Sequence, residues 1–274
     1  METPAPGASV PLAVVVLAAR PRARAIAKDA FPRRRTRLTL ARNAADLERA
    51  FRATLVDAAV VDLGAPTEDV MRAIELAREF PSAPFFGLSP YRPGDAALVA
   101  RCAAFDFADV VVETIDDHVL RDLVIAQAFT TRFAAALAVP PPSLHIDTNL
   151  RRESWRVLVG HAGRPVQTER IASALGVTRE HLSRAFAAAG APNLKRVIDL
   201  VRLAAAAELA KNPGYDVGDV STVLGFASSS HLSTTSQRIV GTRPTSLARL
   251  RTVDLLERFI HGRMRSRPAK SRRG

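Results

Sequence analysis

Apolar residues in the first half of the chain fall into short runs separated by amphipathic stretches. Pro11–Ala18, Leu38–Leu40, Ala58–Asp62, Pro84–Leu88 and Asp109–Val112 read as strands, most of them rich in valine. Between them, Arg22–Asp29, Ala44–Ala53, Glu68–Phe80 and Asp95–Ala104 repeat their apolar positions at helical spacing, and Asp117–Ala136 closes the series as a last helix. Strands that are apolar on both faces belong in a parallel sheet covered on both sides. Right-handed crossovers then favour a doubly wound α/β domain with a five-stranded parallel sheet over residues 11–138.

The pattern changes at Val139-Pro140-Pro141-Pro142, a stiff extended run that marks the domain boundary, with residues 139–148 as linker. Beyond it the periodicity is helical throughout. Helices are predicted over Arg151–Gly160, Thr168–Leu175, Arg179–Ala189, Leu194–Lys211, Val217–Leu224, Ser229–Val240 and Ser246–His261, giving an all-α domain over residues 149–262. The stretches 1–10 and 263–274, the second of them basic, are too poor in apolar content to pack and are expected to be disordered.

Charge separates the two halves. The formal net charge is +12, yet residues 1–140 carry 17 Lys/Arg against 17 Asp/Glu, so the whole excess falls in residues 141–274. A neutral domain joined to a basic one implies that the basic half faces a polyanion. Arginine supplies nearly all of that charge, and its planar fork suits phosphates and guanine edges. The single Cys102 excludes an intrachain disulfide and lies on an apolar helix face, where it reads as packing. Apolar runs reach only eight residues, as in Leu12–Ala19, and the start of the chain lacks a secretory signal, so a soluble cytoplasmic protein is expected. There is no Gly-rich phosphate loop, no Gly-x-Ser-x-Gly elbow and no metal-ligand spacing among the six scattered histidines. An enzyme, a cofactor and a metal are therefore not expected.

The chemistry concentrates in two helical pairs. In Arg170–Phe186, Ala172 is small where a second helix must cross, Gly176 permits a left-handed turn, and Thr178 is placed to cap the next helix. Leu182 and Phe186 face inward, which turns Arg179, Glu180, Ser183 and Arg184 outward on the early turns, where a helix in the major groove reads bases. About fifty residues on, Asp216–Leu232 repeats the plan, with Asp216 as cap and Gly225 in the turn. Leu194–Lys211 lies between the pairs, and Val197, Val201, Ala204 and Ala207 are placed to pack against both.

These residues carry a resemblance. From about Val166 to Leu250 the chain resembles the DNA-binding domain of AraC/XylS-type transcription regulators. The first unit matches through Ile171-Ala172, Leu175-Gly176, Leu182, Arg184, Phe186 and Gly190, and the connecting helix through Arg202-Leu203 and Leu209. The second matches through Leu224-Gly225-Phe226, and Gly241-Thr242-Arg243-Pro244 resembles the closing Gly-x-x-Pro. The resemblance implies two recognition helices entering successive major grooves, about 34 Å apart on one face of double-stranded DNA. The second helix departs from the pattern: Thr234 and Ser236 stand where the family usually has an arginine and an aromatic. Its candidate contacts, Ser228, Ser229, Ser230, His231, Ser233 and Thr234, are mostly hydroxyl side chains of modest discrimination, so specificity is expected to sit in Arg179, Glu180, Ser183 and Arg184. His181 and His231 read as fillers or phosphate contacts rather than metal ligands.

The first half resembles the receiver domain of response regulators. Asp57–Pro66 has the form of that family's third strand and phosphoacceptor loop, which puts Asp62 at the phosphoacceptor position and Ser89 at the switch Ser/Thr. Phosphotransfer also needs a cation held by several carboxylates. Ala18, Ala19 and Arg20 stand where the family's acidic pair is expected, and Glu113-Thr114 near its lysine, so Asp62 is expected to be inactive. What is left to this domain is homodimerisation, or sensing of a ligand or partner protein; RNA polymerase is a further candidate partner of the whole chain. Arg33-Arg34-Arg35 reads as a solvated loop, with DNA backbone contact as the second reading. Against a sequence-specific regulator stand a low-specificity architectural DNA-binding protein and a signalling adaptor acting through the α/β domain.

Overall fold

The computed structural model describes residues 10–187 and 192–265. Strands β1 (Leu12–Leu17), β2 (Thr36–Ala41), β3 (Ala58–Asp62), β4 (Phe85–Ser89) and β5 (Asp109–Val112) form one parallel sheet in the order β2-β1-β3-β4-β5. This is the doubly wound order in which the chain reverses direction beside β1. Successive side chains alternate between the faces. Val15, Leu17, Ala59, Val61 and Phe85 therefore meet α2 (Ala44–Ala53), α3 (Glu68–Glu79) and α4 (Ala96–Ala104). Val14, Val16, Val60, Phe86 and Leu88 meet α1 (Pro21–Ala30) and α5 (Leu120–Gln127) on the other side. Because both faces are covered, the central strands β1, β3 and β4 carry nearly unbroken apolar runs, whereas edge strand β2 exposes Arg37 and Thr39. Cys102 is fully buried on α4, and burial pushes its thiol up to about 11, in keeping with a packing role.

The stretch Asp117–Ala136, expected as one helix, is two. α5 stops at Gln127 and α6 spans Phe129–Ala136, with Ala128 extended between them. The break has an identifiable cause. Phe129 N donates to the Asp57 carbonyl at 2.9 Å, and Thr130 N donates to the Asp57 carboxylate at 3.0 Å, so the start of α6 is drawn onto the residue before β3. Two further expectations shift. The helix begun at Leu194 ends at Leu209, where Asn212 Nδ2 donates to the Leu209 carbonyl at 2.6 Å. Ser246–His261 resolves into a 3-10 turn, Pro244–Arg249, and a separate helix.

The second half is helical: α7 (Asn149–Gly160), α8 (Thr168–Ala174), α9 (Arg179–Ala187), α10 (Leu194–Leu209), α11 (Val217–Val223), α12 (Ser229–Val240) and α13 (Thr252–Arg265). Its core runs along α10, whose Val197, Val201, Ala204 and Ala207 are buried as their spacing predicts. Phe129, Phe133 and Leu137 join this core from α6 and its end, as do Leu144 and Ile146 from the segment after the prolines. Trp155 Nε1 donates to the Leu137 carbonyl at 2.7 Å, which fastens α7 to that segment.

The two halves are joined by polar contacts as well as apolar ones. Asp57 is fully buried and accepts from Ala13 N, Thr130 N, the Thr130 hydroxyl and Arg164 of the helical half, whose Nη2 lies 2.5 Å away. Arg164 also donates to Thr130 Oγ1 at 2.7 Å and to the Leu55 carbonyl at 3.2 Å. On the α2 side, Arg52 pairs with Asp219 of α11 at 2.5 Å, and Tyr215 donates to the Phe51 carbonyl at 3.1 Å while its ring meets the Phe80 edge. Gly214 N donates to the Glu79 carbonyl at 2.9 Å, and a Cβ at Gly214 would strike the Phe80 ring. Removing one member of a buried, hydrogen-bonded ion pair strands the other, at about 3–5 kcal/mol. Arg164→Ala should therefore lower stability by about that amount in urea titrations followed by the fluorescence of Trp155; a loss below about 1 kcal/mol would place the Asp57 charge in contact with water instead.

Candidate nucleic-acid interface

The first helical pair is built around its turn. Gly176 takes a φ of +65°, which lets Val177 N reach back to the Ala172 carbonyl at 3.0 Å. Thr178 Oγ1 then accepts from His181 N at 3.1 Å and starts α9. Leu182 and Phe186 are fully buried beneath it, so Arg179, Glu180, His181, Ser183 and Arg184 are all exposed. Arg179 leans back to Glu169 of α8 at 2.9 Å, whereas Glu180, Ser183 and Arg184 form the open early-turn face. Gly190 lies outside the described residues.

The second pair repeats the turn with one difference. Gly225 has a φ of +63°, and Phe226 N donates to the Ser221 carbonyl at 2.8 Å, as Val177 does to Ala172. Asp216 and Asp219 cap α11 reciprocally. The cap of α12 is Ser228, three residues after the glycine rather than two, and it accepts from His231 N at 3.1 Å. Counted from each cap, Leu232 and Ser236 stand where Leu182 and Phe186 stand in the first pair. Ser236 is fully buried, and its hydroxyl donates to the Thr242 carbonyl at 2.8 Å, so a hydrogen bond to the closing turn replaces aromatic packing. Ser228, Ser229, Ser230, His231 and Thr234 are exposed and Ser233 is half-buried. Besides the cap Ser228, two of these are already engaged. Thr234 donates to the Ser230 carbonyl at 2.9 Å, and His231 Nδ1 accepts from Ala227 N at 3.3 Å while its ring meets Phe226 edge-on. Ser229, Ser230 and Ser233 are left open on α12; by the same count from the caps they match Arg179, Glu180 and Ser183, and Thr234 matches Arg184.

The motif pattern did not reveal what holds the two pairs in register. Arg202 of α10 donates twice to the Leu224 carbonyl, at 3.0 and 2.8 Å, and its guanidinium sits 3.7 Å from the centre of the Phe226 ring. Burial lowers the pKa of Arg202 somewhat, against the pull of Asp199. Arg238 of α12 pairs with Asp199 of α10 at 2.8 Å. Burial raises the Asp199 carboxyl, with Arg238 and Lys195 acting the other way. The groove between α8, α10 and α12, about 670 Å³, is lined by these charges. Arg202 matched the resemblance only as a letter; its role needed the turn carbonyl to be seen.

The carboxyl end of the sheet carries a different arrangement. Arg20 lies between Asp62 and Glu113, both nearly fully buried. Its Nε and Nη2 donate to Asp62 Oδ1, at 2.8 and 2.5 Å, its backbone N donates to Asp62 Oδ2 at 3.1 Å, and its far end pairs with Glu113. Desolvation opposes the charge of Arg20, but the hydrogen bonds to Glu113 and Asp62 outweigh it and raise the pKa well above the ordinary arginine value. A side chain at Gly64 would collide with this guanidinium. Ser89 is fully buried, accepts from Tyr91 N at 3.0 Å and faces Asp95. Among the described residues no group of three or more His, Cys, Asp or Glu is placed to hold a metal. The divalent cation of a receiver does not fit here, because a guanidinium already occupies its carboxylates.

A family model described as a helix-turn-helix domain matches residues 171–249, the stretch whose motifs resemble the AraC type. No curated protein matches the chain. Among solved structures, it is similar to a response regulator protein from Burkholderia pseudomallei with a phosphorylated aspartic acid, calcium ion and citrate. That likeness is 15% identical with a TM-score of 0.35, and covers 63% of this chain and 97% of that one. Full-length FixJ from B. japonicum is similar at 13% identity and a TM-score of 0.37, over 82% of this chain and 95% of that one. The receiver-like description of the sheet rests on its own strand order and helix placement. Among the described residues no helix is long and apolar enough to cross a membrane.

Among the described residues Arg20 is the one charge partner of Asp62, and its loss would leave that buried carboxylate unpaired beside Glu113, which keeps Arg22 at 3.4 Å. Arg20→Ala should cost about 3 kcal/mol of stability, and Arg20→Lys, which lacks the fork, should recover only part of it in thermal unfolding. Stability unchanged in Arg20→Ala would mean that Asp62 and Glu113 do not need the guanidinium.

Proposed function

We propose that this chain is a bacterial, cytoplasmic, sequence-specific transcription regulator that reads two major grooves of double-stranded DNA through α9 and α12, with no enzymatic step of its own. The observation that carries this reading is the helix-turn-helix match over residues 171–249 together with the exposed early turns of both second helices. Specificity is assigned mainly to Glu180, Ser183 and Arg184, with Arg179 at the edge; Ser229, Ser230 and Ser233 contact the second groove, and Ser228, His231 and Thr234 lie beside them. The concentration of the +12 charge in residues 141–274 supports a polyanionic partner.

The division of labour follows residues 11–138 and 149–262, joined by 139–148. The first part acts without phosphorylation, since Asp62 and Glu113 are occupied by Arg20. It serves homodimerisation or the sensing of a ligand or partner, RNA polymerase included.

The test is selection of bound fragments from genomic DNA by the full-length protein, followed by titration of the recovered site. Arg184→Ala should weaken that site by about 10- to 100-fold, the 1–3 kcal/mol of a base-edge contact, and relax preference at one position. Ser229→Ala should cost less than about tenfold. Equal affinity for all sequences, lost together as salt rises, would replace this reading with an architectural one.

A further inference from the structure

At the amino end of the sheet, opposite Asp62, the two halves enclose a cleft of about 430 Å³. Ala13, Arg37 and Leu55 line it from the sheet side, and His161, Arg170 and Val223 from the helical side. Arg164 also reaches it, with its charge matched by Asp57 beneath. Among the described residues no carboxylate lines the cleft. Arg37 and Arg170 are exposed, and their side chains make no hydrogen bond or ion pair with any described residue.

Two unmatched guanidinium groups, one from each half, on a concave wall concentrate positive potential there. Guanidinium forks fit phosphate oxygens two at a time. Ala13, Leu55 and Val223 supply an apolar part of the wall and Thr54 a hydroxyl beside it, and the volume is that of a site for a small organic ligand. His161 donates from Nδ1 to the Val157 carbonyl at 2.7 Å, so its neutral ring keeps Nε2 as an acceptor, suited to a sugar hydroxyl. Burial lowers the His161 pKa and favours that neutral form.

We propose that this cleft binds a nucleoside diphosphate, with the diphosphate shared between Arg37 and Arg170 and the nucleoside against the apolar wall. Arg170 belongs to α8 of the first helix-turn-helix unit and Val223 to α11 of the second, so the ligand touches both units and the sheet at once. The assignment does not rest on the DNA-binding reading and is tested without DNA.

The experiment is calorimetric titration of the full-length protein with ADP, GDP and inorganic pyrophosphate. At least one nucleotide should bind one-to-one with a Kd below about 1 mM, and pyrophosphate about tenfold or more weaker. Arg37→Ala and Arg170→Ala should each weaken that nucleotide about tenfold, whereas Arg249→Ala, an exposed arginine outside the cleft, should leave it unchanged. Absence of binding by both nucleotides up to about 10 mM would overturn the proposal. So would equal weakening by Arg249→Ala, which would mean general attraction to a basic chain. Pyrophosphate binding as tightly as the nucleotides would overturn the nucleoside assignment.

Discussion

Asp57 is buried without exposure in the loop before β3, and a charge there is tolerable only if its oxygens are fully used. They are used by both halves of the protein. Ala13 N fixes the loop to the start of β1, Thr130 starts α6 on it, and Arg164 brings the helical half to the same carboxylate. The break between α5 and α6, the burial of Phe129 and Phe133 in the helical core, and the seat of α11 against α2 all accompany this junction. The two units that the charge distribution separates are thus packed against each other, and the exposed turns of α9 and α12 are left facing solvent.

Arginine solves several different problems in this chain. Arg164 neutralises a carboxylate inside the interface, Arg20 occupies an acidic site at the carboxyl end of the sheet, and Arg202 closes a turn over an aromatic ring. Each uses the planar fork, which a lysine would not reproduce. The Arg20 arrangement also explains how a receiver-like sheet persists without the acidic pair that would hold a cation. The positive charge comes from the residue next to the missing acids.

Much of the fold was legible because its signals were local. The ends of β3, β5, α2 and α12 coincide with the predicted boundaries, since apolar period and capping residues both mark them. The turn glycines and the caps Thr178 and Asp216 were equally readable. Errors came where a distant partner decided the outcome. Ala128 breaks a helix only because Asp57 waits for the amides of Phe129 and Thr130, and nothing in the sequence near Ala128 announces that. Among the site residues, outward-facing Arg179, Glu180, Ser183 and Arg184 followed from spacing alone. The buried hydroxyl of Ser236 and the pairing of Arg238 with Asp199 did not, because both depend on a turn or helix elsewhere in the chain.

The central claim is that two helix-turn-helix units act together on one face of a duplex. Hydroxyl-radical footprinting of the full-length protein on a site selected by the protein itself tests it directly. Two protected patches about one helical turn apart on the same face are the predicted result. Protection confined to a single groove, unchanged when the hydroxyl face of α12 is replaced by alanine, would contradict it.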